Sequence, residues 1–273
     1  MLEASRPLLL IGGGKMGEAL LAGWLAQGVS GDAVLVVEPA AQRREVLAGT
    51  HGVKTFANVA ALPKGHAPSV LLLAVKPQVM EGVLADCAPL MAADTLVLSI
   101  AAGKPMALFE RVFGAERAIV RAMPNTPAAV GRGVTVLCAN PAASPAQRNL
   151  AERLMGAVGE VHWVADEELM HVVTAVSGSG PAYVFHMIEA MAAAGVRAGL
   201  PDELAMRLAR ATVVGAGELA FQAPDSAGQL RTNVTSPGGT TAAALEVLMA
   251  TDGLGSLMAR AVTAAARRSR ELA

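Results

Sequence analysis

Aromatic side chains are scarce: only 3% of the 273 residues are Phe, Trp or Tyr. That shortage excludes a stacking platform for nucleic-acid bases, which needs aromatic faces along a basic groove. Charge is sparse as well, at 16% and a net −1, so no electrostatic footprint for nucleic acid is expected. Two cysteines, Cys87 and Cys138, stand far apart in no metal or redox spacing, which excludes a disulfide framework and points to a reducing cytoplasm. No run of about 18 to 20 strongly apolar residues occurs, so no membrane span is expected. The apolar start Leu8–Ile11 gives way at once to Gly12, which argues against a cleavable leader. His51, His66, His162, His171 and His186 show no ligand spacing, and no metal is expected. Lysine is missing from the whole chain after Lys104.

What is present is a change of period. Short apolar runs at Leu8–Ile11, Val34–Val37, Val70–Val75, Leu96–Ile100, Ala118–Arg121 and Val134–Cys138 read as strands. Helical patterns such as Glu18–Gln27 and Gln42–Ala48 lie between them, which predicts a mainly parallel sheet covered on both faces. Beyond Asp166 strand patterning gives way to Ala/Leu/Met stretches, broken at Ser177–Pro181, Gly199–Pro201, Ala223–Gly228, Ser236–Gly239 and Gly253–Gly255. We therefore expect an α/β domain over residues 1–164 and an all-α domain over 165–273. Stretches such as Ala190–Ala194 and Ala205–Ala220 carry small and apolar residues around much of the helix, more than one core stripe needs. Such faces predict a homodimer, open to further stacking as an oligomer of dimers.

The stretch Gly12-Gly-Gly14-Lys15-Met16-Gly17 follows a strand and opens a helix. It fits G-x-G-x-x-G in its meaningful context, with Gly12 for the turn, Gly14 for close approach to a pyrophosphate and Gly17 for helix–strand packing. The α/β domain is then a Rossmann-type dinucleotide-binding domain. Glu38 closes the second strand 21 residues after Gly17, where an acid accepts from an adenosine ribose and repels a 2′-phosphate. Arg43 and Arg44 nearby can pair with that phosphate, so NADPH or NADH fits the sequence. Two later strand exits, Ala74-Val75-Lys76-Pro77 and the one ending in Ala101-Ala102-Gly103, point at the same ligand, since ligands sit beyond the carboxyl ends of parallel strands. Asn58 is read either as a helix cap or as an adenine-side contact.

Thr235-Ser236-Pro-Gly238-Gly239-Thr240-Thr241 precedes a helical run from Ala242. Glycines that turn their N–H groups to one side, at a helix start, suit a small carboxylate. A plain Ser/Thr helix cap after a turn is the other reading. The segment has no acid, base or metal ligand, so a reaction beside it needs little proton chemistry from the protein.

Six motifs stand in one order along essentially the whole chain: Ile11–Gly17, Ala74–Gln78, Ser99–Gly103, Arg121–Pro127, Val176–Tyr183 and Ser236–Thr241. Together they resemble those of pyrroline-5-carboxylate reductases. That resemblance implies reduction of the cyclic imine 1-pyrroline-5-carboxylate to L-proline with NAD(P)H, in proline biosynthesis. It also implies a dinucleotide-binding domain followed by a helical dimerisation domain, with the active site formed between subunits. The glycine-lined helix start Gly238, Gly239, Thr240 and Thr241 can hold the carboxylate of such a substrate, with Ser236 adding a hydroxyl, and by the resemblance Thr241 places its hydroxyl on the ring nitrogen as the catalytic contact. The chain departs from the family pattern at Ser226-Ala-Gly228 and Arg231-Thr232, where His-Pro-Gly and Lys-Asp are frequent.

Two other classes compete. A β-hydroxyacid dehydrogenase joins similar domains but relies on a helical lysine to move the alcohol proton. The lysines here are Lys15, Lys54, Lys64, Lys76 and Lys104, none of them in the helical half. A non-catalytic dinucleotide sensor would keep the glycine loop without needing a hydroxyl-rich anion pocket.

Overall fold

The computed structural model describes residues 5–63, 65 and 67–273; Lys64 and His66 lie outside them. Four-residue, largely apolar runs, too short for helices and almost fully buried, form the strands at Leu8–Ile11, Val34–Val37, Val70–Leu73 and Leu96–Ser99. The first half comprises β1 (Leu8–Ile11), α1 (Lys15–Ala26), β2 (Val34–Val37), α2 (Ala41–His51), β3 (Lys54–Phe56), β4 (Val70–Leu73), α3 (Met80–Cys87), β5 (Leu96–Ser99) and α4 (Met106–Phe113). β6 (Ile119–Met123), β7 (Gly133–Ala139), α5 (Pro145–Gly156) and β8 (Gly159–Trp163) complete the strand-bearing part. Among the described residues eight strands form one sheet in the order β3-β2-β1-β4-β5-β6-β7-β8. Its pairs are parallel except β6 with β7. The chain starts in the middle at β1, winds outward to β3 and returns to β4, so a topological switch point lies beyond the ends of β1 and β4.

Strand residues alternate between two cores. Leu8 and Leu10 pack with Leu20, Leu21 and Trp24 of α1 and with Leu154 and Met155 of α5. Leu9 and Ile11 pack with Met80 and Leu84 of α3 and Phe109 of α4. Trp24, the largest buried side chain, spends its one donor on the Leu154 carbonyl at 2.7 Å, so its ring is buried without an orphaned N–H.

The helices that follow are α6 (Leu169–Val173), α7 (Gly180–Arg197), α8 (Asp202–Gln222), α9 (Ala227–Asn233), α10 (Thr240–Leu248) and α11 (Leu254–Glu271). A break was expected at Ser177–Pro181. The chain does break there, with Ser179 a bend and Pro181 in the first turn of α7; ahead of it Thr174–Gly178 forms one π turn, and Thr174 and Ser177 donate to the carbonyls of Met170 and Val173, four residues back. The chain divides into two compact units, Met1–Gly178 with Ala265–Ala273, and Ser179–Ala264. Strand periodicity stops with β8 at Trp163, but α6, the π turn and the end of α11 belong to the sheet-bearing unit. His171 and Ser269 fasten that arrangement through a buried 2.9 Å hydrogen bond between α6 and α11.

Candidate active site

The glycine loop is built by backbone crowding on one side and open space on the other. Gly12 has φ +101, and a Cβ there would stand 2.5 Å from the Ala74 carbonyl oxygen. A Cβ on Gly17 would stand 2.2 Å from the Gly12 oxygen, so α1 can lie against the loop only without that atom. Gly14 differs: a Cβ on it would meet nothing within 4 Å. Gly14 is also the extended N-cap of α1, with no side-chain cap to take up the first-turn N–H groups of Lys15, Met16 and Gly17. These residues fit a dinucleotide pyrophosphate, which needs close backbone approach and a helix start.

Around the loop, charge is tightly organised. The Gly13 N–H donates to Glu38 Oε2 and the Ala40 N–H to Glu38 Oε1, both at 2.9 Å. Arg43 donates through Nε to the Gly13 carbonyl at 2.6 Å and through its terminal nitrogen to Glu18. Arg44 donates to the carbonyls of Glu38 and Pro39, at 2.9 and 2.7 Å. Glu18 is held below the usual carboxylate range, chiefly by the Arg43 hydrogen bond; burial opposes this and His51 reinforces it. None of these long-range partners was readable from spacing alone.

At the later strand exits, Ala74 stays in register beyond β4 through its N–H to the Ile11 carbonyl at 2.8 Å, while Val75, Lys76 and Pro77 turn into a single 3-10 turn that leaves Lys76 exposed. Ala101 donates its N–H to Ser99 Oγ at 3.3 Å, Ala102 is exposed, and Gly103 turns with φ +73 against the Leu272 carbonyl. Asn58 is a cap: its Oδ1 accepts from Ala61 N–H at 3.0 Å. It also lines an open cavity of about 370 Å³ with Val59, Leu62, Asp86 and Leu90.

The sequence reading passed over an ion pair with a buried arginine. Arg121, 7% exposed, reaches Glu167, whose Oε1 also accepts the Met106 N–H at 2.6 Å. Its only trace in the sequence is an arginine inside the apolar run of β6. Because Arg121 pairs in register with Ser99, the ion pair ties the start of α4 beside the Ala101–Gly103 turn. Asn125 works similarly, accepting the Val134 N–H at 2.9 Å and donating to the Ser177 carbonyl at 3.2 Å. It is a joint within the sheet-bearing unit.

In the helical unit, Thr235–Thr241 forms a turn with Gly238 at φ +67, closed by Gly239 N–H to the Ser236 carbonyl at 3.0 Å. Gly239 is the N-cap of α10 and no side chain caps that helix. The simple hydroxyl-cap reading therefore falls, and the first-turn N–H groups of Thr240 and Thr241 keep their donors. Thr235 is spoken for by the Arg231 carbonyl at 2.6 Å.

Burial pushes the Cys87 thiol up to about 12 and raises Cys138 as well, so neither offers a thiolate. Among the described residues no three His, Cys, Asp or Glu side chains gather to hold a metal.

Similarity to known proteins agrees with this geometry. Residues 167–272 match the family model for pyrroline-5-carboxylate reductase dimerisation, and residues 8–103 match that for NADP oxidoreductase, coenzyme F420-dependent. The chain is 46% identical to the pyrroline-5-carboxylate reductase of Synechocystis sp., covering 96% of this chain and 97% of that one. It is 41% identical to that of Pseudomonas aeruginosa, over 97% and 96% of the two chains. A solved pyrroline-5-carboxylate reductase from Coxiella burnetii superposes with a TM-score of 0.91 at 37% identity, covering 98% of this chain and 99% of that one. With a dinucleotide loop at one end, an uncapped glycine-led helix at the other and such likeness along nearly its whole length, the chain belongs to the pyrroline-5-carboxylate reductase family.

Proposed function

We propose that this protein reduces 1-pyrroline-5-carboxylate to L-proline with NAD(P)H, serving proline biosynthesis. The observation that carries the reading is the start of α10: a glycine N-cap with no side-chain cap, leaving backbone donors for a carboxylate. Gly238, Gly239 and Thr240 hold that carboxylate, with the exposed Ser236 hydroxyl beside them. When bound, the reduced nicotinamide supplies the hydride. Thr241 accepts a hydrogen bond from the protonated imine nitrogen and so orients the adjacent carbon. As the C=N bond becomes C–N its electron pair settles on nitrogen, and the same hydroxyl can then donate to the neutral amine. A protonated imine is already electrophilic, so alignment matters more than a strong acid. The β-hydroxyacid dehydrogenase alternative relies on a helical lysine to move the alcohol proton, and the helical half has no lysine.

The remaining assignments belong to the same reading. Gly12, Gly14, Lys15, Met16 and Gly17 take the pyrophosphate, Glu38 the adenosine ribose, and Ala74–Pro77 with Ala101–Gly103 the nicotinamide half. Asn58 acts through its cap. We draw the functional boundary at residues 164 and 165, supported by the end of β8 at Trp163 and by a dimerisation match that begins at residue 167. The helical domain works as a homodimer, which can stack further. Buried free thiols at Cys87 and Cys138 support a cytoplasmic site; among the described residues no helix is long and apolar enough to cross a membrane.

The test is pyrroline-carboxylate-dependent oxidation of NADH and NADPH, beside a panel of hydroxy acids. Turnover on the imine alone is expected. Turnover on a hydroxy acid, or cofactor binding without any turnover, would overturn the reading.

A further inference from the structure

The glycine loop and β2 together carry a feature that goes further than NAD(P)H use. From the clamped carboxylate of Glu38 we infer that this enzyme selects NADH over NADPH, an inference that rests on the dinucleotide reading of the loop. Glu38 follows β2 directly, and its two carboxylate oxygens are each fixed by a backbone N–H, from Gly13 and from Ala40, at 2.9 Å. A side chain held at both oxygens does not swing aside for an incoming anion. Each oxygen keeps a further lone pair for a ribose hydroxyl, so the clamp is compatible with a 2′-OH. A 2′-phosphate in that position would set a dianion against a fixed negative charge.

The neighbouring cations do not reverse this balance. Arg43 already donates to the Gly13 carbonyl and to Glu18, and Arg44 to the carbonyls of Glu38 and Pro39. His51 faces Glu18, and Lys54 pairs with Asp32 at 3.0 Å. Recruiting either arginine to a phosphate would give up its hydrogen bonds to backbone carbonyls, and for Arg43 that to Glu18, and still leave Glu38 in place. The guanidinium groups therefore brace the loop, and Glu38 sets the selectivity.

Equilibrium binding reads this without turnover. Titrating the full-length protein with NADH and NADPH, followed by quenching of protein fluorescence, should give NADH at least about tenfold tighter binding. Adenosine 5′-monophosphate should displace NADH at lower concentration than adenosine 2′,5′-bisphosphate. Glu38→Gln and Glu38→Ser should narrow the gap, mainly by tightening NADPH; the serine avoids placing an amide against the Gly13 N–H, and a melting curve confirms that each variant is folded. Equal or tighter binding of NADPH by the natural chain overturns the inference. So does an unchanged gap in both folded variants. If neither dinucleotide binds, the reading of the glycine loop itself falls, and this inference with it.

Discussion

The two compact units bury their apolar side chains to very different degrees. In the sheet-bearing unit both faces of the sheet close over continuous cores, and Leu8, Leu10, Leu71, Leu72 and Phe109 are fully inaccessible. In the helical unit, among the described residues, the buried apolar side chains are only Ala192, Ala205 and Ala209. Meanwhile Phe185, Val214, Leu219 and Val247 are each more than 60% exposed. Fully burying one such side chain is worth roughly 1.5–3 kcal/mol, and whole domains are stable by about 5–15 kcal/mol. A handful of these residues therefore decides whether the helical unit is stable. One unit buries its core within the chain; the other leaves apolar faces exposed, over residues that match the dimerisation family model.

The sharpest way to break this comparison is to charge the helical face. Val214 and Phe221 lie two turns apart on α8, at 64% and 52% exposure. Val214→Glu with Phe221→Glu should convert the dimer to monomer in sedimentation and abolish turnover. Tryptophan emission should stay native, because Trp24 and Trp163 both lie in the sheet-bearing unit. A fully active dimer carrying both glutamates would show that this face is not the interface.

The converse experiment injures the complete unit. Glu167→Ala leaves Arg121, 7% exposed, without its carboxylate partner and frees the Met106 N–H. Breaking such a pair from one side costs roughly 3 kcal/mol. The tryptophan-reported unfolding midpoint in urea should fall accordingly, while the sedimentation of the folded protein remains dimeric. A midpoint unchanged within error would remove Arg121–Glu167 from the account of this unit.

Smaller still is Thr241→Ala. Loss of one hydrogen bond to a charged group is worth about 1.5–3 kcal/mol, so kcat/KM should drop roughly 10- to 100-fold. Stability should not move, because no side chain caps α10. The helical unit would thus lose chemistry without losing structure. Full turnover and ordinary saturation would end the assignment of Thr241 to the imine nitrogen; a lower melting point with intact kinetics would make it a structural residue.

How much of this was legible follows the same division. β1 and β2 were readable to the residue because each is a four-residue apolar run with little or no exposure on either face. β4 stops at Leu73, short of the expected Val75, because its partner β1 ends at Ile11 in register with Leu73. The edge strands β3 and β8 escaped the pattern: Lys54, Glu160 and His162 put polar side chains where one face meets water. In the helical half all the expected breaks from Gly199 onward separate helices, since Gly and Pro act locally. The glycine loop could be read because backbone geometry demands glycine. Arg121–Glu167 could not, because its partners are 46 residues apart and only the fold brings them together.

The gentlest probe uses acid on the complete unit alone. Glu18 has a folded pKa below its ordinary value, principally through the Arg43 hydrogen bond. A depressed carboxylate adds stability that is fully present above its unfolded pKa of about 4.3 and is lost as pH falls through the folded value. Tryptophan-reported stability should therefore decline on acidification from about pH 5 downward, and Glu18→Gln should flatten that decline while lowering stability at neutral pH. Asp94 is depressed in the same direction by Arg6, but this pair lies in solvent, where screening leaves little effect. Glu18 lies in the sheet-bearing unit, so the helix content of the helical unit should be insensitive to Glu18→Gln across that range. A variant that titrates like the natural chain would show that the Glu18–Arg43 contact beside the glycine loop organises charge without contributing stability.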